Sequence, residues 1–250
     1  MKKVVFVIAL TLLSASSFAQ NDMIRIAAAS SLKFALDSIV EAFETKQSGR
    51  VDVSYGSSGK LFEQISNGAP FDIFFSADMN YPSLLRKKNM ATSEPYIYGV
   101  GRLVVWSKKI DVRNLGIKSL LDPGVKKISI ANPLHAPYGK RAEEALKHYE
   151  MLDNVKGMLV YGQNISQAAQ FVTSGAADVG IIALSLALSP NMKRENGGYF
   201  IIPENRHQPL EHGVVITRHG EGNDFAKAFV DFVKEEKAVA ILLHFGFMRP

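Results

Sequence analysis

The sequence predicts an α/β protein whose sheets are mostly parallel and flanked by helices. Short β-rich segments alternate with helical segments along most of the 250 residues, and this alternation is typical of parallel strands joined by helical crossovers. The hydrophobic residues make up 47% of the chain and the charged residues 21%, which indicates a globular protein and not a disordered or fibrous one. A chain of this length forms one large or two modest domains.

In the first half, a helix is predicted over 32–46, because Phe34, Ile39 and Phe43 recur at helical spacing. Alternating or continuous apolar runs predict the strands of this half. The remaining predicted elements are strands at 24–29, 51–55 and 71–75, helices at 61–66 and 81–88, and one long strand at 100–106.

The second half repeats this rhythm, without a low-complexity linker and without a strict sequence repeat. Its predicted strands lie at 127–131, 158–161, 179–183, 199–202 and 214–217, and its predicted helices at 138–149, 166–172, 224–234 and 237–244.

The first nineteen residues have the pattern of a secretory signal peptide. A cationic start, Met1–Lys3, precedes an apolar run, Val4–Leu13, and small residues flank Phe18. The run is well short of the ~20 apolar residues that span a bilayer, and no later stretch is long enough. We therefore expect residues 1–19 to be removed and the mature protein to be in the periplasm. We expect no lipid anchor, because the chain has no cysteine.

The charge and the composition exclude several classes of protein. The absence of cysteine excludes disulfides, thiolate zinc sites and a cysteine nucleophile, and the six histidines lack zinc-binding spacing, so no metal site is predicted. The formal charge of +5 falls to +3 once Lys2 and Lys3 are removed. The short basic clusters, 86–88 and 126–127, carry no interleaved aromatic residues, and we expect no nucleic-acid partner.

Hydroxyl-bearing residues and glycines collect where predicted strands end and helices begin. Unpaired N–H groups at a helix N-terminus bind anions, and ligands of open α/β sheets lie beyond the carboxyl ends of the strands. These junctions therefore indicate a site for a small anion. They are 29–32 (ASSL), 56–59 (GSSG), 136–139 (APYG) and 163–166 (QNIS).

A simpler interpretation is that each junction is only a helix cap, since Ser and Asn are preferred N-cap residues. The segment 56–61 (GSSGKL) has neither the glycine spacing of a phosphate-binding loop nor the pattern of a hydrolase nucleophile elbow. Asp72 and Asp78 are expected to cap helix ends or to pair with nearby groups, although a catalytic carboxylate pair stays open. His135 is expected to line or pack near the junctions.

Nine short segments resemble, in order and across nearly all of the mature chain, the periplasmic molybdate-binding proteins of molybdate ABC importers. They are 27–32 (AAASSL), 56–61 (GSSGKL), 64–65 (QI), 68–70 (GAP), 72–78 (DIFFSAD), 132–133 (NP), 136–139 (APYG), 162–164 (GQN) and 180–185 (GIIALS).

The resemblance implies a two-lobed, type II periplasmic-binding-protein fold with the ligand cleft between the lobes. Lobe I would comprise residues 20–100 plus 212–250, and lobe II residues 101–211. The chain would cross near 99–102 and again near 210–213. The family further implies a monomer without cofactor or catalysis, which carries molybdate, and tungstate, to the membrane permease of an ABC importer.

The resemblance also implies which residues hold the oxyanion. Ser31 and Ser58 match positions that give a hydroxyl and a backbone N–H from lobe I, while Tyr138 and Ile165 match positions that give backbone N–H groups from lobe II. No metal is implied beyond the molybdenum of the bound anion.

One position departs from a well-known form of the family. Ala183 stands where a tyrosine hydroxyl reaches the anion, so this chain lacks that donor. A second branch of the family lacks the tyrosine and takes an extra donor from the first loop, for which Ser30 is the candidate.

Three alternatives stay open on the sequence alone. The same fold could bind a different oxyanion or a small carboxylate, which the alanine at 183 favours. An exported enzyme acting on an anionic substrate would need a base or nucleophile among the four junctions. A receptor-docking sensor would have the same binding chemistry as a transport protein.

Overall fold

The computed structural model describes residues 23–250, so the predicted signal peptide lies outside the described residues. Within them, ten strands form two five-stranded sheets. In chain order the strands are β1 (Met23–Ala29), β2 (Arg50–Gly56), β3 (Ile73–Ser76), β4 (Tyr96–Gly101), β5 (Leu103–Ser107), β6 (Ile128–Ala131), β7 (Leu159–Gly162), β8 (Val179–Ala183), β9 (Gly198–Ile201) and β10 (Leu210–Ile216).

Helices flank both sheets. They are α1 (Lys33–Glu44), α2 (Ser58–Ser66), α3 (Asn80–Lys87), α4 (Val112–Leu115), α5 (Pro137–His148), α6 (Leu152–Val155), α7 (Ile165–Ser174), α8 (Leu184–Ala187), α9 (Pro190–Arg194), α10 (Asp224–Val233) and α11 (Glu236–His244). Short 3-10 segments occur at Ser30–Leu32, Gly116–Leu121, Lys156–Met158 and Glu204–Arg206.

The two sheets have the same topology. The order is β2-β1-β3-β10-β4 in the sheet of lobe I and β7-β6-β8-β5-β9 in the sheet of lobe II. In lobe I, β1 is parallel to β2 and β3, while β10 is antiparallel to β3 and β4. In lobe II, β6 is parallel to β7 and β8, while β5 is antiparallel to β8 and β9. Each sheet is therefore mixed, with one strand antiparallel to the other four. This strand, β10 in lobe I and β5 in lobe II, is the first strand after the chain crosses from the other lobe.

The single long strand predicted over 100–106 is wrong. The structure has two strands there, β4 and β5, separated by Arg102. Gly101 pairs with Leu210 in the first sheet, whereas Leu103 pairs with Ala183 in the second. Gly101 and Arg102 interrupt the apolar run at this crossing, but apolar residues lie on both sides because both sheets bury their strands, and the prediction joined them into one strand.

The chain returns to lobe I between β9 and β10. The predicted lobe boundaries, 100/101 and 211/212, lie inside β4 and β10, within two residues of the strand ends that face the crossings. As exact boundaries they stay predictions.

Apolar packing joins each sheet to its helices and the two lobes to each other. Phe43 of α1 packs edge-on against Phe229 of α10, with ring centroids 5.0 Å apart, on one face of the lobe I sheet. Ala29 and Ala77 of lobe I pack into the buried core of lobe II. The lobes are therefore in contact around the ends of β1 and β3. Between residues 23 and 250 no helix is long and apolar enough to cross a membrane.

Candidate functional site

The structure brings all four predicted junctions to one small cavity between the lobes. The turns that follow β1 and β2 come from lobe I, and those that follow β6 and β7 come from lobe II. The cavity volume is about 10 Å³, far below the roughly 300–1,000 Å³ of pockets for drug-sized ligands. The lining consists of Ala29, Ser30, Ser31, Gly56, Ser58, Ala77, Ala136, Pro137, Tyr138 and Ile165.

All five residues proposed from the resemblance line this cavity, and no residue of the lining carries a charge. Ser58 and Ile165 are the first residues of α2 and α7, and Tyr138 is the second residue of α5. N–H groups in the first turn of a helix have no acceptor within that helix. The cavity therefore collects backbone donors at the positive ends of several helices.

Three serine hydroxyls add to these donors, and their hydrogen bonds leave the hydroxyl protons available. The Ser58 Oγ accepts the Ala77 N–H at 2.9 Å, and the Ser30 Oγ accepts the Ser166 N–H at 3.3 Å. Ser31 is only 1% exposed, yet its Oγ has no hydrogen-bond partner. Buried polar atoms are nearly always paired, so this hydroxyl indicates a site that takes an acceptor.

Helix capping explains only one of the junctions. Asn164 caps α7, since its Oδ1 accepts the Gln167 N–H at 3.0 Å. No side chain caps the 3-10 segment at Ser30–Leu32, α2 or α5. The simpler interpretation therefore holds for Asn164 and fails for the serines that line the cavity.

Hydrogen bonds between the lobes hold the cleft closed around this cavity. The Ser166 Oγ donates to the Ser30 carbonyl at 3.0 Å, and the Ser185 Oγ donates to the Ser31 carbonyl at 2.6 Å. On the other side, the Gly59 N–H donates to the His135 carbonyl at 2.9 Å. The residues that line the cavity are thus fixed by partners in the opposite lobe.

The Tyr138 side chain is buried, and its hydroxyl contacts lobe I. Its ring is 2% exposed, and its hydroxyl lies 3.2 Å from the His212 Nε2 in lobe I. Burial raises the pKa of Tyr138; the Ser31 hydroxyl lies close enough to offset part of this rise, but it makes no hydrogen bond of regular geometry with the tyrosine. Tyr138 therefore stays protonated and neutral.

One Ser–His contact lies beside the cavity. The Ser57 Oγ is 3.0 Å from the His135 Nδ1, and burial, with a smaller effect of Lys60, lowers the pKa of His135. A nucleophile–base pair is usually oriented by a third group. Among residues 23–250 no carboxylate hydrogen-bonds to the His135 ring, and neither Ser57 nor His135 lines the cavity.

The two carboxylates considered as a catalytic pair have structural partners. Asp72 accepts the Arg25 N–H at 2.7 Å and lies 3.0 Å from the His219 Nδ1. Asp78 accepts the Asn80 N–H at the start of α3, at 2.9 Å. The prediction that these acids cap or pair is confirmed.

Ala183 is fully buried at the end of β8, where it pairs with Leu103, and it is absent from the lining of the cavity. Its methyl group provides no donor, whereas Ser30 does line the cavity. The first loop thus offers a side-chain hydroxyl to the cavity, whereas Ala183 at the end of β8 offers none.

Sequence reasoning missed the contacts that connect the lobes. Ser166 and Ser185 lie in segments that the sequence singled out, but nothing local to them identifies their partners in lobe I. The buried contact of His212 with Tyr138 had no sequence signal, because the two residues are 74 positions apart.

The fold and the donors of the cavity are those of a small-ligand receptor, and comparison with known proteins gives its family. Residues 24–248 match the family described as bacterial extracellular solute-binding proteins. The chain belongs to this family. The α/β, two-lobed fold predicted from the sequence is confirmed, with the mixed sheets described above.

Several known proteins are similar to this chain over most of their length. The molybdate-binding protein ModA of Azotobacter vinelandii is 34% identical over 233 residues, which cover 92% of this chain and 91% of the relative. ModA of Rhodobacter capsulatus is 31% identical over 210 residues, 82% of this chain and 80% of the relative. The solved structure of the A. vinelandii periplasmic molybdate-binding protein superposes with a TM-score of 0.86 at 32% identity, covering 91% of this chain and 99% of that one.

Proposed function

We propose that this solute-binding protein binds molybdate, and also tungstate, in the cavity between its lobes and delivers the anion to the permease of an ABC importer. The observation that carries the proposal is the lining of the cavity, in which serine hydroxyls and helix-terminal N–H groups converge and no charged side chain is present. Relatives named as molybdate-binding proteins, at 31–34% identity, support the choice of anion.

The donor set selects for fully deprotonated anions. A hydroxyl on the ligand that meets a helix-terminal N–H would leave both donors unpaired, which costs about 1–3 kcal/mol for each buried group. A dianion instead accepts from every group around it. Hydrogen bonds to charged groups contribute roughly 1.5–3 kcal/mol each, so the anion needs no lysine or arginine.

The size of the cavity selects among dianions. Ser31 and Ser58 stand on lobe I, while the Tyr138 and Ile165 N–H groups stand on lobe II, and contacts across the cleft fix their separation. Metal–oxygen bonds in molybdate and tungstate are longer than sulfur–oxygen bonds in sulfate. A fixed donor cage that fits the larger anions leaves sulfate with stretched hydrogen bonds.

Binding and closure are coupled because the donors belong to different lobes. An anion satisfies both sets of donors only when the cleft is shut, and it therefore favours the closed conformation. The permease would recognise the surface that closure creates. A monomer in the periplasm, without cofactor or catalytic activity, is sufficient for this function.

Calorimetric titration of the mature protein tests the proposal. Molybdate and tungstate should bind with 1:1 stoichiometry, whereas sulfate and phosphate should give no saturable heat at the same concentrations. Sulfate binding comparable to that of molybdate would contradict the size argument. The absence of heat with both metal oxyanions would contradict the proposed function.

A second titration tests the absence of charge in the donor set. Lys60 lies two residues after Ser58, but it is exposed and lines a separate surface groove with Glu63 and Gln64. Lys60→Ala should therefore change the affinity for molybdate by less than about twofold at ordinary salt. A large loss would show that a cation takes part in binding.

A further inference from the structure

A fully buried histidine joins the lobes at the crossing of the chain, outside the anion cavity. His212 belongs to β10 in lobe I and is 0% exposed. Its Nδ1 lies 3.0 Å from the Tyr98 hydroxyl of the same lobe, and its Nε2 lies 3.2 Å from the Tyr138 hydroxyl of lobe II. Both ring nitrogens are therefore paired, and one pair spans the two lobes.

A bulge in the lobe I sheet brings Tyr98 and His212 together. The pairing of β10 with β4 shifts after His212, so that Gly99 and Ile97 have partners and Tyr98 between them has none. A bulge re-aims a side chain that a regular ladder would direct to the opposite face. Here it places the Tyr98 ring edge-on to His212, with centroids 5.6 Å apart.

The contact of Tyr98 with a carbonyl assigns the donor and the acceptor in each hydrogen bond of the Tyr98–His212–Tyr138 chain, because a carbonyl oxygen can only accept. The Tyr98 hydroxyl donates to the Ser76 carbonyl at 3.4 Å, so its oxygen accepts from the His212 Nδ1–H. The neutral ring then presents Nε2 as an acceptor, and the Tyr138 hydroxyl donates to it. Every polar atom of this buried chain is satisfied only when Tyr138 is docked against lobe I.

The contact between His212 and Tyr138 has room only because residue 101 is a glycine. A Cβ at Gly101 would collide with the Tyr138 hydroxyl and would lie 2.8 Å from the His212 Nε2. Gly101 is the last residue before the chain crosses to lobe II through Arg102. The contact therefore lies against the segment about which the lobes must move.

We propose that His212 is a positioning residue for anion binding. Its hydrogen bond to the Tyr138 hydroxyl, here called the latch, holds the first turn of α5 against lobe I and so keeps the Tyr138 N–H in the closed cavity. This inference rests on the proposed function. It assigns the tyrosine two roles, with the backbone facing the anion and the hydroxyl facing the latch.

A second contact on the same helix supports the latch. Arg141 follows Tyr138 by three residues, and its guanidinium lies 3.7 Å from the Asp78 carboxylate of lobe I. Arg141 is held in place by Glu144 at 2.7 Å and also donates to the Pro209 carbonyl at 3.3 Å, just before β10. The start of α5 is thus tied to lobe I on two sides, both outside the anion cavity.

The test is the rate of molybdate dissociation from three variants, Tyr138→Phe, His212→Phe and the double variant. The latch exists only in the closed state, so its loss should speed dissociation about tenfold, as expected for one buried hydrogen bond. The association rate should stay within about twofold. The double variant should dissociate no faster than either single variant, because both remove the same contact.

Two further variants separate positioning from a general loss of stability. His212→Gln keeps an acceptor near the Nε2 position and should recover most of the wild-type dissociation rate. Tyr55→Phe removes a hydroxyl bonded to Asp37 at 2.5 Å, within lobe I and away from the crossing, and should leave the rate unchanged. Wild-type dissociation rates in both Tyr138→Phe and His212→Phe would overturn the latch, as would equal acceleration in Tyr55→Phe.

Failure of the latch is distinguishable from failure of the proposed function. If the wild-type protein binds molybdate and the latch variants release it at the same rate, only the latch is wrong. If the wild-type protein binds neither molybdate nor tungstate, the proposed function is wrong. The latch is then tested by comparing wild type and Tyr138→Phe without ligand. Small-angle scattering should then give a larger radius of gyration for Tyr138→Phe than for wild type, and equal radii would overturn it.

Discussion

The two lobes have the same strand order, yet they contribute different chemistry to the cavity. Lobe I provides the hydroxyls of Ser30, Ser31 and Ser58, whereas lobe II faces the cavity with the helix starts at Tyr138 and Ile165. Side-chain donors can be removed by substitution to alanine, but backbone donors cannot. Alanine scanning would therefore assign the site to lobe I alone, although two of the five residues proposed to hold the anion belong to lobe II.

Ser58→Ala should have the largest effect on binding, because Ser58 stabilises the fold and, in the proposed function, also donates to the anion. The variant loses a donor to the dianion and leaves the buried Ala77 N–H without its acceptor. We expect molybdate affinity to fall by about 10- to 100-fold and the free energy of unfolding to fall by about 1–3 kcal/mol. Titration calorimetry and urea unfolding measure the two effects. Unchanged affinity would exclude Ser58 from the lobe I donors.

Ile165→Pro tests a backbone donor of lobe II. Proline lacks an N–H but is tolerated at the first position of a helix, and Asn164 before it already has an extended backbone, with φ −151° and ψ 176°. We expect the affinity for molybdate to fall by about 10- to 100-fold.

Ile165→Ala is the matched control, because it removes the apolar side chain and keeps the N–H. Its affinity should stay within a few fold of wild type. If alanine and proline weaken binding equally, the side chain of Ile165 matters and its N–H does not, and the contrast between the lobes is lost.

Ser31→Ala should separate affinity from stability more clearly than any other change in lobe I. The Ser31 Oγ is buried and has no partner in the protein, so its removal relieves an unpaired polar atom. We expect molybdate affinity to fall by about tenfold while the ligand-free melting temperature stays the same or rises. A lower melting temperature with unchanged affinity would identify this hydroxyl as structural.

The interface between the lobes should show a dependence of stability on pH. Burial lowers the pKa of His212 to about 3, and the titratable groups that touch it, Tyr98 and Tyr138, are themselves kept neutral because burial raises the pKa of both. In the unfolded chain the pKa of histidine is about 6.5. Between these two values the unfolded state binds the extra proton, so stability is retained above pH 6.5 and is lost as the pH falls toward 3.

The loss from this histidine should be on the order of 1 kcal/mol per pH unit. Urea unfolding at steps between pH 7 and 4 measures it, and His212→Phe should show a shallower slope than wild type. The two proteins differ only at position 212, so contributions from the rest of the chain cancel in the comparison. Identical slopes would contradict the buried, neutral state of His212.

The fold and the four junctions were predictable because their signals are local. A strand followed by a hydroxyl and a helix is a pattern of about ten residues, and the carboxyl ends of parallel strands meet at one edge of a sheet. The start of α2 was predicted at 61 but lies at Ser58. The early turn is glycine- and serine-rich and has no apolar periodicity, so the pattern begins only with Leu61.

The rest of the site depends on pairings that no local pattern contains. The strand predicted over 100–106 continues through the crossing because both sheets accept the same apolar residues. The latch joins positions 98, 138 and 212, and each of these residues alone is an ordinary buried side chain. The unpaired state of the Ser31 hydroxyl likewise depends on what surrounds it in three dimensions, and not on its neighbours in the chain.

The central claim is that uncharged donors from both lobes hold molybdate in the cavity between them. A crystal structure of the molybdate-loaded protein, with the anomalous signal of molybdenum, tests it most directly. We predict one molybdenum peak in the cavity, with anion oxygens within about 2.7–3.2 Å of the Ser31 and Ser58 hydroxyls and of the Tyr138 and Ile165 nitrogens. A peak outside the cavity, or a lysine or arginine side chain bonded to the anion, would contradict the account.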